Sequence, residues 1–239
     1  MNRSRTHCGT TGTALGAAVA VASAHVATYG LWRRWCLHWG STSAESGEAL
    51  PGDELLERPG IISTRSITIN ASADQIWPWL VQMGPGRAGA YTYDWIENLL
   101  GLNMHSADSV IPAYQHVDIG DSWQLGEHGP VLRVVRLEPE HALVLRSDDG
   151  HWVWAFILHA GAGTTRLVSR NRIASAGGSW LARAAARYLM EPGSLVMERK
   201  MLLGIKERAE HTAAVVKSGL ESAAVTRPAR SRRACRPGT

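Results

Sequence analysis

Hydrophobic and polar positions in the middle of the chain follow a period of two residues. Residues 64–70 alternate polar and apolar side chains, as a half-buried β-strand does. Four more strand-like segments follow, at residues 131–137, 142–145, 151–158 and 166–173. Short links rich in Asp, Glu, Gly and Pro separate these four segments, which is typical of antiparallel hairpins. The pattern predicts one strand followed, later in the chain, by an antiparallel meander.

Helical periods lie on either side of the meander. Ser72 stands before an acidic turn and an apolar face, so it is predicted to cap a helix that Pro78 kinks or limits to two turns. Residues 179–190 and 194–217 also have helical patterns, with Glu191-Pro192-Gly193 between them. The second of these carries an apolar stripe at every fourth position, formed by Met197, Met201, Ile205 and Ala209. The fold class predicted from these elements is α+β.

The N-terminal segment is apolar and precedes this body. Gly9 to Trp32 contains no formal charge over 24 residues. A helix of that length measures roughly 36 Å, which is enough for a hydrocarbon core of about 30 Å. One interpretation is a single-pass membrane anchor within residues 1–39; the other is a signal peptide cleaved near Ala24, after an Ala-x-Ala site. We favour the anchor, because the apolar run continues past that site and ends in Trp and Arg.

Charge and cysteine positions separate the body from the two ends. The net charge is +4, but the first 40 residues and the last 22 residues each contribute +4, so the 177 residues between them sum to −4. An acidic body argues against nucleic-acid binding. Residues 40–62 are rich in Gly, Ser, Glu and Pro and are predicted to be a linker, residues 63–217 the folded domain, and residues 218–239 a disordered basic tail. Cys8, Cys36 and Cys235 all precede or follow that domain and include no CxxC pair, so no disulfide framework or zinc site is predicted.

The order of elements and several motifs resemble the SRPBCC superfamily, which includes START lipid-transfer domains and polyketide cyclases. Residues 64–80, a strand leading into Ala-Asp-Gln-Ile-Trp-Pro-Trp-Leu, are similar to the opening of such a domain. Further segments resemble a membrane-anchored bacterial branch: residues 39–40, 50–55, 81–84, 93–98, 105–108 and 197–206. The resemblance covers roughly residues 35–212. It implies a helix-grip fold, in which a curved antiparallel sheet wraps around a long C-terminal helix and encloses a cavity.

Such a cavity implies a hydrophobic small-molecule ligand, either a lipid or a polyketide-like compound, and no cofactor. The candidate wall residues are Trp77, Trp79, Tyr91, Tyr93, Trp152, Trp154, Met197 and Met201. Aromatic and Met side chains at these spacings most often belong to an ordinary core, and that is the simpler interpretation of each of them. Arg170 shares one face of the last strand with two other arginines, so it either holds a carboxylate or phosphate head group inside or is a solvated charge outside.

Candidate catalytic groups lie between the first helix and the meander. Asp94 and Glu97 are three residues apart and would share a helix face, so together with His105 they are candidates for acid–base catalysis of a cyclisation or dehydration. The simpler interpretation is a capping pair, with Asp94 as N-cap and Glu97 at the third helical position. The spacing of His and Asp residues matches no defined metal motif, so no metal is predicted.

Three functions remain open from the sequence, in decreasing order of preference. The first is a membrane-anchored carrier or sensor of a hydrophobic ligand. The second is an enzyme of the polyketide cyclase or dehydrase type. The third is a structural accessory domain of a membrane complex. The sequence does not set the oligomeric state.

Overall fold

A computed structural model of the protein describes Ser23, residues 28–175, Gly177 and residues 179–225. Residues 28–37 form helix α1. The remaining helices are α2 (Ser43–Gly47), α3 (Ala73–Val81), α4 (Asp94–Leu99), α5 (Trp180–Ala185) and α6 (Glu191–Val225), with 3₁₀ turns at Asp53–Leu56 and Pro112–Tyr114 and a π-helical turn at Ala186–Met190. The strands are β1 (Ile61–Ile69), β2 (Ser122–Gln124), β3 (Val131–Glu138), β4 (Ala142–Ser147), β5 (Trp152–Ala160) and β6 (Thr165–Ile173).

The six strands form one antiparallel sheet in the order β1-β6-β5-β4-β3-β2. Strands β3 to β6 correspond to the four predicted segments of the meander, and the short β2 adds a strand that was not predicted. Strand β1 pairs with β6 over its whole length, from Ile61 opposite Ile173 to Ile69 opposite Thr165. The register between β3 and β4 shifts between Val134 and Arg136, and a bulge of this kind bends and twists a sheet. Helix α6 packs against β1 and against α3. The predicted α+β helix-grip fold is therefore confirmed.

The main core lies between the sheet and helices α3 and α6. Side chains of alternate strand residues, such as Phe156 and Leu158 on β5, point into it because successive strand residues face opposite sides. On α6 the predicted apolar stripe contributes Met201, Ile205 and Ala209, all of them buried. Truncating a buried Leu or Ile here to Ala is expected to cost about 2–5 kcal/mol.

Helix α3 begins after Ser72, as predicted. The side chain of Gln75 accepts a hydrogen bond from the backbone N–H of Ser72 at 3.1 Å, which satisfies one of the donors that a helix start leaves free. The helix has nine residues and includes Pro78, so it ends after about two and a half turns. Its buried face places Trp79 and Leu80 in the core.

The segment predicted as a linker, residues 40–62, folds onto the outer face of the sheet. It contains α2 and a 3₁₀ turn, and it buries Leu50 in a second apolar cluster formed by the outward residues of β4, β5 and β6. Glu45 of α2 forms an ion pair with Arg166 of β6 at 2.6 Å, and this contact lowers the pKa of Glu45 to about 2. Residues 40–62 fold onto the sheet because β4 and β5 carry buried apolar side chains on both faces. The outer face therefore has to be covered as well as the inner one.

The two ends of the chain reach beyond the described residues. Most of the predicted anchor, residues 9–22 and 24–27, lies outside them, as do residues 226–239 of the predicted tail. Within the described ranges, no helix combines the length and the apolar character needed to cross a bilayer. Helix α6 continues past Lys217 to Val225, into the segment predicted to be disordered.

Candidate ligand-binding cavity

A cavity of about 440 Å³ lies between the sheet and the first turns of α6. Its size falls in the range of small-molecule sites, roughly 300–1,000 Å³. Strands β1, β5 and β6 form one wall, and α4, the end of α1 and the start of α6 close the others. The lining residues that matter below are Arg65, Thr92, Glu97, Asp149, His151, Trp152, Trp154, Asn171, Glu191, Ser194, Met197, Glu198 and Met201.

Two tryptophans on β5 form the apolar wall of the cavity. Trp152 and Trp154 are two residues apart and therefore face the same side of the sheet. Their rings stack at a centroid distance of 5.5 Å and an angle of 18°. The Nε1–H of Trp152 donates to Asn171 Oδ1 at 2.8 Å, and the Nε1–H of Trp154 donates to Ser169 Oγ at 3.0 Å. Because β6 satisfies both indole N–H groups, the ring faces are left for apolar contact.

Glu198 of α6 joins these polar groups into one network. Its carboxylate accepts hydrogen bonds from Ser169 Oγ at 2.6 Å and from Asn171 Nδ2 at 3.2 Å, and it forms a buried ion pair with Arg65 of β1. Burial raises the pKa of Glu198, while Arg65 and Ser169 act against that rise. One carboxylate thus fixes both side chains that hold the stacked indoles.

Arg65 is fully buried, and its guanidinium contacts three different residues. Besides the ion pair, Nε donates to the backbone oxygen of Cys36 at 3.0 Å and Nη2 donates to Ser194 Oγ at 2.9 Å. It therefore connects β1 to the ends of α1 and α6 at once. The sequence reasoning did not single out Arg65 or Glu198. A usable signal exists: Arg65 falls in the same phase as Ile67 and Ile69, so a charge occupies an inward position of the strand.

Glu97 is the one of the three candidate catalytic groups that lines the cavity. Its side chain is only 6% exposed, and Oε2 has no hydrogen-bond partner among the described residues. Burial raises the pKa of this carboxyl. The negative charge of Asp94 raises this pKa further, whereas the nearby Thr92 hydroxyl lowers it. The distance and angles between Thr92 and Glu97 do not meet the geometry of a hydrogen bond.

The other two candidate catalytic residues, Asp94 and His105, do not line the cavity. Asp94 accepts hydrogen bonds from Ser106 N at 2.7 Å and Ser106 Oγ at 2.6 Å, and Ser106 Oγ accepts one from the backbone N–H of Tyr91. This connection holds a tight turn, because Tyr91 has a φ of 58°. Asp94 is the first helical residue and Tyr93 the N-cap, so the predicted capping pair of Asp94 and Glu97 does not form. His105 is exposed and does not line the cavity.

The structure divides the predicted wall residues into two groups. Trp152, Trp154, Met197 and Met201 line the cavity. The other four are Trp77, Trp79, Tyr91 and Tyr93, none of which borders it. Three of them pack in or against the core, where Tyr91 donates a hydrogen bond to the backbone oxygen of Trp79 at 3.0 Å. Tyr93 lies in a separate surface groove between α1 and α6.

Arg170 has neither of the roles that the sequence leaves open for it. Its side chain points to the outer face of the sheet, away from the cavity, yet only 2% of Arg170 is exposed. Its guanidinium donates to Thr64 Oγ1, Asp53 Oδ2 and the backbone oxygens of Glu45 and Glu48. Arg170 therefore fastens residues 45–53 to the sheet. Within the described ranges, no three His, Cys, Asp or Glu side chains are placed to share a metal ion.

Comparison with known proteins finds likeness in solved structures alone. No protein-family model and no curated protein sequence matches the chain. Zhui aromatase/cyclase from Streptomyces sp. R1128 is 14% identical, covering 64% of this chain and 95% of its own, with a TM-score of 0.39. The Polyketide_cyc-like protein Cgl2372 from Corynebacterium glutamicum is 15% identical, covering 67% and 94%, with a TM-score of 0.31.

A third solved structure, the Aha1 dimer from Colwellia psychrerythraea, is 15% identical and covers 63% of this chain and 96% of its own, with a TM-score of 0.33. By the names they carry, these similar structures include an aromatase/cyclase and a Polyketide_cyc-like protein. The helix-grip fold itself follows from the strand order and from the packing of α6 described above.

Proposed function

We propose that this protein binds an apolar small molecule in the cavity between the sheet and α6, as a carrier or sensor. The observation that carries the proposal is the construction of the cavity wall. Its stacked indoles and its Met side chains are apolar, and the polar groups of Ser169, Asn171, Arg65 and Glu198 are bonded to one another. An apolar guest therefore removes little hydration from polar groups when it enters. Met side chains adapt to ligands of irregular shape.

A cavity-filling substitution tests this function. Met197→Trp places an indole in the cavity, whereas Val216→Trp adds the same side chain at an exposed position of the same helix. Native mass spectrometry of the full-length chain is expected to show a co-purified apolar molecule in the wild type and in Val216→Trp. Met197→Trp is expected to lose it. Equal retention by both variants, or no bound molecule and no uptake of diphenylhexatriene by the wild type, contradicts the proposal.

Attachment to a membrane through residues 9–32 is part of the proposal. Trp32 at the end of that segment and Trp35 just after it are exposed on α1, where side chains at a membrane interface are expected. The test is fractionation of cells followed by N-terminal sequencing of the mature chain. Recovery in the membrane fraction with residues 9–32 intact supports an anchor, and a soluble chain that begins at His25 contradicts it.

An enzyme of the polyketide cyclase or dehydrase type is the second candidate, and Glu97 is the observation that favours it. A buried carboxyl whose pKa is raised by burial is a candidate for proton transfer to or from a bound substrate. Zhui is an aromatase/cyclase by name. The test is incubation of the full-length chain with a poly-β-ketone thioester, with loss of water followed by mass spectrometry. Turnover that Glu97→Gln abolishes without weakening binding supports this function, and binding without turnover refutes it. A structural accessory role is the least favoured, since it requires no cavity.

A further inference from the structure

Among the described residues, three buried polar atoms without a hydrogen-bond partner belong to residues that line the cavity: Thr92 Oγ1, Glu97 Oε2 and Glu191 Oε2. The first two lie near each other, since the Thr92 hydroxyl lowers the pKa of Glu97. An unsatisfied buried polar group costs about 1–3 kcal/mol, so such groups usually mark a partner that binds there. We propose that the ligand is an uncharged apolar molecule bearing hydroxyl groups, and that Thr92, Glu97 and Glu191 receive those hydroxyls. This inference rests on the proposed ligand-binding function and narrows its ligand class.

The charges around the cavity argue against an anionic ligand. Among the described lining residues, Arg65 is the one Lys or Arg side chain, and its donors are already used by Glu198, Ser194 and Cys36. Four carboxyls also line the cavity, those of Glu97, Asp149, Glu191 and Glu198. A carboxylate or phosphate head group would meet these acids and find no free guanidinium, which makes its transfer from water unfavourable.

Among the described lining residues, the second group that can carry a positive charge is His151, at the outer edge of the cavity. Its Nδ1 lies 3.4 Å from Asp149 Oδ2, and 72% of its side chain is exposed. Asp149 in turn accepts a hydrogen bond from Ser147 Oγ at 2.5 Å. His151 therefore already faces an acid and lies in solvent. It offers an anionic ligand no buried partner.

The hydrogen-bonding capacity of the three atoms selects hydroxyl over carbonyl. Both Nε and Nη2 of Arg33 bond Oε1 of Glu191, which leaves Oε2 as an acceptor that needs a donor. Thr92 and a protonated Glu97 can each donate or accept. A ligand carbonyl only accepts, so it would leave Glu191 unsatisfied. A hydroxyl both donates and accepts, so it can pair with any of the three.

Three probes with the same ring system and different polar groups test the ligand class. Titration calorimetry at pH 7 compares naphthalene, 2-naphthol and 2-naphthoate on the full-length chain. One net hydrogen bond is worth about 0.5–1.5 kcal/mol, so 2-naphthol is expected to bind about two- to twelvefold more tightly than naphthalene. 2-Naphthoate is expected to bind at least tenfold more weakly than 2-naphthol.

Substitutions then assign the preference to the residues. Glu97→Leu and Thr92→Val are each expected to reduce the advantage of 2-naphthol over naphthalene. Glu97→Gln is expected to keep it, because an amide also donates and accepts. Glu207→Leu removes an exposed carboxyl of α6 that lies away from the cavity and serves as the control. Folding of each variant is checked independently of binding, from the midpoint of urea denaturation followed by circular dichroism.

The outcomes separate this inference from the function on which it rests. If 2-naphthoate binds as tightly as 2-naphthol, the charge argument is wrong. If naphthalene matches 2-naphthol, water satisfies the three polar atoms and they do not select the ligand. Either result overturns the inference and leaves an apolar binding site in place. Failure of all three probes, together with no effect of Met197→Trp on co-purified material, refutes the binding function itself.

Discussion

Removal of Glu198 is expected to destabilise the protein more than any change at its surface. In the variant Glu198→Leu, the Arg65 guanidinium stays at 0% exposure but loses its counter-charge, and Ser169 and Asn171 lose an acceptor. Breaking a buried ion pair by removing one partner costs about 3–5 kcal/mol. Against a typical domain stability of about 5–15 kcal/mol, this change should produce a large shift of the unfolding midpoint.

The reason for that cost is tested by removing both charges. Replacing a whole buried pair by apolar residues of similar volume is often neutral or stabilising. The double variant Arg65→Met/Glu198→Leu is therefore expected to be at least about 2 kcal/mol more stable than the sum of the two single variants implies. Urea denaturation of all four chains, followed by circular dichroism, gives this coupling energy.

A second pair on α6 provides the comparison. Lys206 and Glu210 form an ion pair at 2.7 Å with 28% and 27% of their side chains exposed. Exposed pairs of this spacing typically couple by about 0.3–0.5 kcal/mol. If the coupling between Arg65 and Glu198 is no larger than that between Lys206 and Glu210, the buried network does not organise the cavity wall and the reasoning is wrong.

Three further predictions concern Glu97, Cys36 and α2. The pKa of Glu97 is raised in the folded state, so its contribution to stability is fully present below the unfolded pKa and is lost as pH rises through the folded pKa. Glu97→Gln should abolish that loss in urea titrations between pH 4 and 8; a parallel pH profile for both chains would contradict it. Cys36 is only 1% exposed, and burial raises the pKa of its thiol, so iodoacetamide should label Cys36 only after unfolding. Peptide mapping distinguishes it from Cys8 and Cys235, and rapid labelling of Cys36 itself in the native chain would refute its burial. Arg166→Ala removes the partner of Glu45 and should increase hydrogen exchange in α2, while unchanged exchange there would show that Arg166 does not fasten this segment.

The sheet and the long helix could be predicted because their periods are local properties of the sequence. Residues of β5 alternate between two faces, so Trp152 and Trp154 were predictable as a pair on one side. Trp79 lies on the apolar face of α3 and Tyr91 lies in the turn before α4, yet both side chains pack in the core. Periodicity identifies the inward face of an element and does not distinguish a packed core from a cavity.

The polar half of the site depends on contacts between distant parts of the chain. Arg65 and Glu198 are 133 residues apart, and their pairing follows only from the register of β1 and the placement of α6. Asp94 and Glu97 have the spacing of a capping pair, yet Asp94 accepts a hydrogen bond from Ser106, and Glu97 lines the cavity. The contacts of Arg170 with Asp53 could not be predicted, because residues 45–53, which cover it, have no periodic pattern of their own.

The most direct test of ligand binding in this fold is an experimental structure of the full-length chain with 2-naphthol. We predict density for one probe molecule inside the cavity, in contact with the indoles of Trp152 and Trp154 and with its hydroxyl near Glu97 or Thr92. A probe bound only in the surface groove that contains Tyr93, or a cavity filled by the protein's own side chains, would contradict the account.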